Sequence, residues 1–185
     1  MGYVAFALDM FGAGECVFGE EKDKHNAYLN EDRTRVQVRS LAALEELNSL
    51  PVTDHGQVAA IGYCLGGKVA LDLARSGPDG LLGVVSFHGI LDSPAVPDSP
   101  FQAKVLACHG NLDPFVSPEM LQAFQEEMER KAVDYQVVVF GGCYHAFTRP
   151  DKTSQSDKKM GFQFSSDANR RSWQMCSNFL EEIFS

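Results

Sequence analysis

Residues 57–67 read QVAAIGYCLGG, an apolar run that leads directly into a cysteine flanked by glycines. The run from Gln57 to Gly62 has no polar alternation, which is typical of a strand buried on both faces. Gly62 lies two residues before Cys64 and Gly66 two residues after it, a spacing that predicts a tight turn from strand to helix. Glycine at both positions removes the collisions that side chains would make with neighbouring backbone.

This turn makes Cys64 a candidate nucleophile. A helix is predicted to start at Gly66, and the partial positive charge at its N-terminus favours the thiolate over the thiol. The backbone N–H of Leu65 is then a candidate donor to the oxyanion of a bound acyl group. The alternative is that Cys64 is a small buried hydrophobe and that the glycines only allow a helix to pack closely on a strand.

Apolar runs and helical patterns alternate along the whole chain. Strands are predicted at 3–8, 57–62, 82–87, 104–109 and 135–140. Helices are predicted at 31–50, 66–75, 118–130 and 167–184, and loops at 12–30, 93–100 and 151–166. Strands separated by crossover helices predict a mostly parallel sheet flanked by helices on both faces, in a single α/β domain over residues 1–185.

Two further polar residues follow predicted strands. Asp113 comes after the strand that ends at His109, and His145 comes after the strand that ends at Phe140. Reactive groups in open α/β sheets lie beyond the carboxyl ends of strands, and the order nucleophile, acid, histidine is that of α/β-hydrolases. We therefore predict that His145 acts as general base and acid, with Asp113 fixing its tautomer. Taken singly, Asp113 also fits a turn former and His145 a surface residue.

The other histidines and cysteines give weaker signals. His88 and His109 each precede a glycine at a strand end, so they either line the same crevice or serve as packing residues. The cysteines outside the turn are interpreted as packing or incidental thiols, with Cys143 close enough in sequence to His145 to lie near the site. Neither a disulfide framework nor a metal site is expected from the spacing of Cys16, Cys64, Cys108, Cys143 and Cys176.

The composition of the chain argues against nucleic acids and membranes as partners. The 16 Lys and Arg against 25 Asp and Glu give a formal net charge of −9, which disfavours nucleic-acid binding. The sequence has no apolar run of the roughly 20 residues needed to cross a bilayer, and no signal peptide is recognised, so a soluble, cytoplasmic protein is expected.

Three motifs together resemble those of the dienelactone hydrolase (carboxymethylenebutenolidase) family of α/β-hydrolases. They are the turn at 62–67, the segment HGNLD at 109–113 and the segment YHAF at 144–147, and the opening residues 2–12 are similar as well. The resemblance implies a Cys64-Asp113-His145 triad that hydrolyses an ester or lactone through a thioester. It implies no cofactor, since acyl transfer by a thiolate needs none.

The resemblance also implies residues that bind substrate. Arg149 matches a position at which the family's type enzyme has an arginine that holds the substrate carboxylate, although a solvated loop charge is the alternative. Tyr63, inside the turn, is a second candidate substrate-binding residue. A further carboxylate-binding arginine is expected among Arg33, Arg35 and Arg39. Because acyl-transfer groups do not select the leaving group by themselves, thioester or phosphotriester hydrolysis stays open.

The chain departs from the family pattern at its start. Family members usually begin with additional strands, one of which leads into a loop that carries the second oxyanion donor and a glutamate that pairs with the thiol. Here the 3–8 run follows Met1 at once, so an N-terminally truncated sheet is expected. The alternative function is a weakly active or inactive relative that associates through an exposed sheet edge, for instance as a homodimer.

Overall fold

The computed structural model describes residues 2–14, 17–94 and 100–185. One sheet holds four parallel strands in chain order: β1 (Val58–Tyr63), β2 (Leu81–Phe87), β3 (Lys104–Gly110) and β4 (Tyr135–Phe140). Each of these strands begins and ends within one residue of its predicted bounds. The α/β fold class predicted from the alternation of apolar runs is confirmed.

The helices cover both faces of this sheet. Their bounds are α1 (Gly19–Glu31), α2 (Thr34–Ser49), α3 (Leu65–Arg75), α4 (Pro118–Arg130), α5 (Gln155–Lys159) and α6 (Ser166–Ile183). Helix α3 contacts β1 and β2, whereas α6 contacts β2 and β3. The adjacent residues Val84 and Val85 are both fully buried, one in each of two separate apolar cores. Among the described residues, no helix is long and apolar enough to cross a membrane.

The strand register brings the carboxyl ends of the strands together. Tyr63 is paired with Phe87 across β1 and β2, and Gly110 is paired with Phe140 across β3 and β4. The residues that follow each strand therefore lie at the same end of the sheet, the end at which the strands have their carboxyl termini. Because Cys64 follows β1 directly, its turn lies at this end beside the loops that follow the other strands.

The predicted strand at 3–8 is wrong. Residues 2–9 pair with no strand in the described parts of the chain, and the side chains of Tyr3, Val4 and Phe6 are exposed. An apolar run forms a strand only where a neighbouring strand takes up its backbone hydrogen bonds. The run alone cannot show whether such a neighbour is present.

Two predicted loops contain helices. The loop at 12–30 includes α1, and the loop at 151–166 includes the short α5. Helix α1 is mostly charged and polar, and Leu29 is its single buried residue, so it lacks the apolar periodicity on which the prediction relied. Cys16 and most of the predicted loop at 93–100 lie outside the described residues.

A buried ion-pair network ties three helices together. Asp72 in α3 is fully buried and accepts two hydrogen bonds from Arg33, at 2.6 and 2.5 Å, and one from Arg75 at 3.2 Å. Arg75 in turn donates to both carboxylate oxygens of Glu127 in α4, at 3.0 and 2.7 Å. The network therefore links α3, whose first turn carries Leu65, to the start of α2 and to α4.

Removing the charge of Asp72 is expected to destabilise the fold strongly. Asp72→Asn keeps the shape but removes the carboxylate that the two guanidinium groups share, which leaves Arg33 with Asp92 and Arg75 with Glu127. Breaking a buried pair typically costs about 3–5 kcal/mol, and the remaining partners place the expected loss at the lower end of that range. The matched control is Asp134→Asn, which removes an exposed ion pair with Lys104 and should cost at most about 1 kcal/mol. Urea unfolding monitored by circular dichroism measures the free energy of unfolding of both variants. Equal losses would contradict the stabilising role assigned to the buried network.

Candidate active site

Cys64 occupies a strained turn between β1 and α3. Its backbone has φ 54° and ψ −116°, a conformation that L-residues rarely adopt. The N–H of Cys64 donates to the carbonyl of Phe87 at 3.0 Å, and its own carbonyl accepts from the N–H of Gly67 at 3.1 Å. These bonds fix the turn to β2 and to the start of α3, and the side chain of Cys64 is left exposed.

One of the two glycines predicted to avoid a collision in the turn does so, and a third glycine takes the place of the other. A Cβ at Gly62 would lie 1.9 Å from the carbonyl oxygen of Gly66, so this glycine is required, as predicted. A Cβ at Gly66 would meet nothing within 4 Å outside its helix, so the collision predicted there is wrong. Gly67 has the second steric requirement, because its Cβ would lie 2.5 Å from the Ser86 hydroxyl oxygen.

The structure brings Cys64, His145 and Asp113 into one hydrogen-bonded row. Nε2 of His145 lies 3.1 Å from Sγ of Cys64, and Nδ1 of His145 lies 2.7 Å from Oδ2 of Asp113. The other carboxylate oxygen of Asp113 accepts the N–H of Phe115 at 2.9 Å. His145 and Asp113 are buried while Cys64 is exposed, so the row opens to solvent at the sulfur.

Gly110 allows the loops carrying the acid and the histidine to approach each other. The N–H of Leu112 donates to the carbonyl of Cys143 at 2.8 Å, which joins the two loops. A Cβ at Gly110 would lie 2.6 Å from that same carbonyl oxygen and 2.8 Å from the Tyr144 carbonyl oxygen. In the sequence Gly110 is visible only as part of the 109–113 motif, which does not indicate this role.

Aromatic rings enclose the imidazole of His145. Phe115 and Phe162 meet it edge to face, with ring centroids at 5.0 and 5.6 Å, and His88 lies 5.0 Å away. Neither phenylalanine was among the candidate site residues. Phe115 follows the Asp113 motif by two residues, which is a usable signal, whereas Phe162 lies in a polar segment with no local signal.

The electrostatics of the row favour charge separation. Burial lowers the pKa of His145, but its hydrogen bonds to Asp113 and Cys64 outweigh burial and raise the pKa to about 9. Burial raises the pKa of the Cys64 thiol, but the hydrogen bond to His145, the imidazolium charge and the N–H of Leu65 outweigh it, so the pKa is lowered. Both shifts favour a thiolate paired with an imidazolium over the neutral pair.

His88 and His109 are both buried, and the ring of His88 lies beside the imidazole of His145. Nε2 of His88 lies 2.8 Å from the hydroxyl of Thr148. Burial and the charge of His145 lower the pKa of His88 to about 3, so it is neutral beside the His145 imidazolium. Burial also lowers the pKa of His109.

The predicted substrate-binding residues lie at the surface. Arg149 is exposed and makes two hydrogen bonds to Asp151, at 3.0 and 2.6 Å. Tyr63 is exposed, and its ring stacks on Phe87 at 4.6 Å.

The three arginines of the helix predicted at 31–50 have other partners. Arg33 belongs to the buried network with Asp72, whereas Arg35 donates to the Tyr28 carbonyl at 2.7 Å. Arg39 donates to the carbonyl of Met10. In the described residues, no group of three or more histidine, cysteine or acidic side chains is arranged to hold a metal ion.

Comparison with known proteins gives consistent matches. The sequence model of the dienelactone hydrolase family matches residues 1–184. The uncharacterised protein K02A2.1 of Caenorhabditis elegans is 33% identical over 161 residues, which cover 84% of this chain and 99% of that protein.

Solved structures agree with this match. The crystal structure of the dienelactone hydrolase-like promiscuous phosphotriesterase P91, from metagenomic libraries, superposes with a TM-score of 0.88 at 35% identity. It covers 96% of this chain and 73% of the P91 chain. A second structure, m3DLH, gives a TM-score of 0.87 at 34% identity over the same shares of the two chains.

Proposed function

The chain belongs to the dienelactone hydrolase family, and we propose that it hydrolyses carboxylic esters or lactones with Cys64 as nucleophile, His145 as acid and base, and Asp113 as the group that orients His145. The observation that carries this proposal is the row from the exposed Sγ of Cys64 to Nε2 of His145, at 3.1 Å, and from Nδ1 to the carboxylate, at 2.7 Å. Nucleophile, base and orienting acid within hydrogen-bond reach of one another are the arrangement that acyl transfer needs.

The reaction follows from the positions of the protons. The Cys64 thiolate attacks the carbonyl carbon, and the N–H of Leu65 supplies one donor to the oxyanion that forms. When the tetrahedral intermediate collapses, the C–O bond breaks and the His145 imidazolium gives its proton to the leaving alkoxide. Water then attacks the thioester while neutral His145 takes its proton, which releases the acid and restores the thiolate pair.

The substrate-binding proposals depend on exposed side chains. Arg149 has a planar fork that fits a substrate carboxylate, and its partner Asp151 is the carboxylate that such a substrate would have to displace. Tyr63 lies one residue before the nucleophile, and we propose that its exposed ring contacts the substrate. P91 is described as a promiscuous phosphotriesterase, so phosphotriesters are a second substrate class to assay on the same residues.

A second candidate function is association through the free edge of the sheet. In the described parts of the chain β1 pairs with β2 alone, and the side chains of Ile61 and Tyr63 at this edge are exposed. Residues 3–8 add further exposed apolar side chains. An unpaired edge of this kind is a template for pairing with another chain, which favours a homodimer with little or no hydrolysis.

Selective alkylation of Cys64 by iodoacetamide tests the first candidate against the second. Burial raises the pKa of Cys108 to about 12 and that of Cys176 to about 11, whereas the pKa of Cys64 is lowered. We expect Cys64 to react at least about 100-fold faster than these two at pH 7. The pH at which its alkylation rate is half-maximal, the alkylation midpoint, should lie below that of a free thiol, near pH 8.5. Peptide mass spectrometry measures each rate, and uniform labelling would favour association over catalysis.

A further inference from the structure

The backbone of His145 is held by the segment that follows α5. The N–H of His145 donates to the carbonyl of Gly161 at 3.1 Å, and the carbonyl of His145 accepts the N–H of Gln163 at 3.1 Å. These two bonds form an isolated parallel bridge between His145 and Phe162. The Phe162 ring then packs against the His145 imidazole, so this segment contacts both the backbone and the side chain of the histidine.

The same segment contacts the loop that carries the acid. A Cβ at Gly161 would lie 2.3 Å from Cγ and 2.9 Å from Cδ of Pro114, the residue directly after Asp113. The ring of Phe115, whose N–H donates to Asp113, lies 5.4 Å from the Phe162 ring. Gly161 is therefore where the segment bonded to His145 meets the segment bonded to Asp113.

The backbone of Gly161 has φ +89°, in the left-handed region, because it ends α5. Its N–H donates to the carbonyl of Lys158, and the N–H of Phe162 donates to the carbonyl of Asp157, which is the Schellman pattern of a helix end. This local requirement alone explains a glycine but not the contact with Pro114. An asparagine, which tolerates left-handed backbone, would still collide with the proline ring.

We propose that Gly161 is a positioning residue. Because it has no side chain, its carbonyl can accept the N–H of His145 while Pro114 packs against it, and this places the adjoining Asp113 within hydrogen-bond distance of the imidazole. The inference rests on the proposed function, in which the Asp113–His145 bond orients the imidazole toward Cys64. A side chain at residue 161 forces either Pro114 or the bridge to His145 to move by several tenths of an ångström or more. Displacements of about 1 Å at supporting residues cost on the order of 100-fold in rate.

The test is Gly161→Ala, with Gly77→Ala as the matched control. Gly77 also follows a helix end, has φ +63° and would make only ordinary contacts at 3.7 and 3.9 Å, so it shares the backbone strain without the collision. For Gly161→Ala we expect kcat for 4-nitrophenyl acetate to fall about 100-fold, with KM changed less than about threefold. We also expect the pH midpoint of Cys64 alkylation to rise toward that of a free thiol. Gly77→Ala should change neither quantity beyond about twofold.

The double variant Gly161→Ala/Pro114→Ala checks that the contact itself is responsible. Replacing the proline removes both atoms with which the new Cβ would collide and leaves only an ordinary contact with Phe115 at 3.6 Å, so we expect kcat and the alkylation midpoint to return most of the way to those of the unaltered chain. If Gly161→Ala does not fold, the double variant alone decides. The proposal is overturned if the double variant folds but its Cys64 alkylation midpoint is that of a free thiol. It is also overturned if Gly161→Ala has the same kcat and alkylation midpoint as Gly77→Ala.

The alkylation midpoint separates failure of this inference from failure of the proposed function. It reports the His145–Cys64 pair whether or not an ester is turned over. If the unaltered chain hydrolyses no ester but its Cys64 midpoint is low, the proposed function fails while the role of Gly161 is still measured. If the unaltered chain turns over the ester and the Gly161→Ala midpoint is unchanged, only the positioning role fails.

Discussion

Cys64→Ala is expected to lower kcat/KM for an aryl ester by on the order of 10⁵-fold or more, as removal of the nucleophile does in enzymes of this mechanistic type. In the proposed mechanism the thiolate sulfur is the only atom of the row that forms a bond to substrate, so neither His145 nor Asp113 can replace it. The substitution removes one exposed side-chain atom, and the turn is held by backbone bonds to Phe87 and Gly67, so the fold should not change. Hydrolysis of 4-nitrophenyl acetate, followed by the absorbance of the released 4-nitrophenolate, measures the loss.

Cys64→Ser serves as the control for geometry. The hydroxyl is similar in shape but far less acidic than the thiol, so it cannot form a stable ion pair with His145. We expect a strongly reduced but measurable rate and no alkylation at this position. If Cys64→Ala retained a rate close to that of the unaltered chain, hydrolysis would come from another group and the assignment of Cys64 would be wrong.

The sequence was sufficient to predict β1 to β4 and the row of three residues for a physical reason. Strands buried on both faces must be apolar over their whole length, so runs such as 135–140 are visible without knowledge of their neighbours. Parallel strands place their carboxyl ends at one edge, so Cys64, Asp113 and His145 could be placed together from their positions after strands. The distances between them could not be predicted.

The features that the sequence did not show depend on contacts distant along the chain. The 3–8 run has the composition of a strand but lacks a partner in the described sheet. Helix α1 has a single buried residue, Leu29, and so has no apolar periodicity to detect. The role proposed for Gly161 depends on Pro114, 47 residues earlier, which no local pattern records. The substrate-binding role of Arg149 remains a prediction, because an exposed position beside Asp151 is compatible both with binding a substrate carboxylate and with a solvated loop charge.

Asp113→Asn is expected to lower kcat/KM for the same ester by about 10⁴-fold and to change its pH dependence. In the proposed mechanism the active form pairs a thiolate with an imidazolium, so activity should rise with pH through the lowered pKa of Cys64 and fall near pH 9, as His145 loses its proton. The hydrogen bond to Asp113 is the main reason that the pKa of His145 is high. Without that carboxylate, burial lowers the pKa of His145. The fall of activity at high pH, the descending limb of the pH profile, then moves to lower pH.

The amide of the Asp113→Asn variant preserves the local structure, which isolates the effect of charge. Its oxygen can still accept the N–H of Phe115, and the buried site loses a charge rather than gaining one. The N–H₂ group then faces Nδ1 of His145, which favours the tautomer with its proton on Nε2, so the ring no longer accepts a proton from the thiol. The midpoint of Cys64 alkylation should rise accordingly. A variant with an unchanged descending limb near pH 9 would show that Asp113 does not set the protonation of His145, and that the row is a structural contact only.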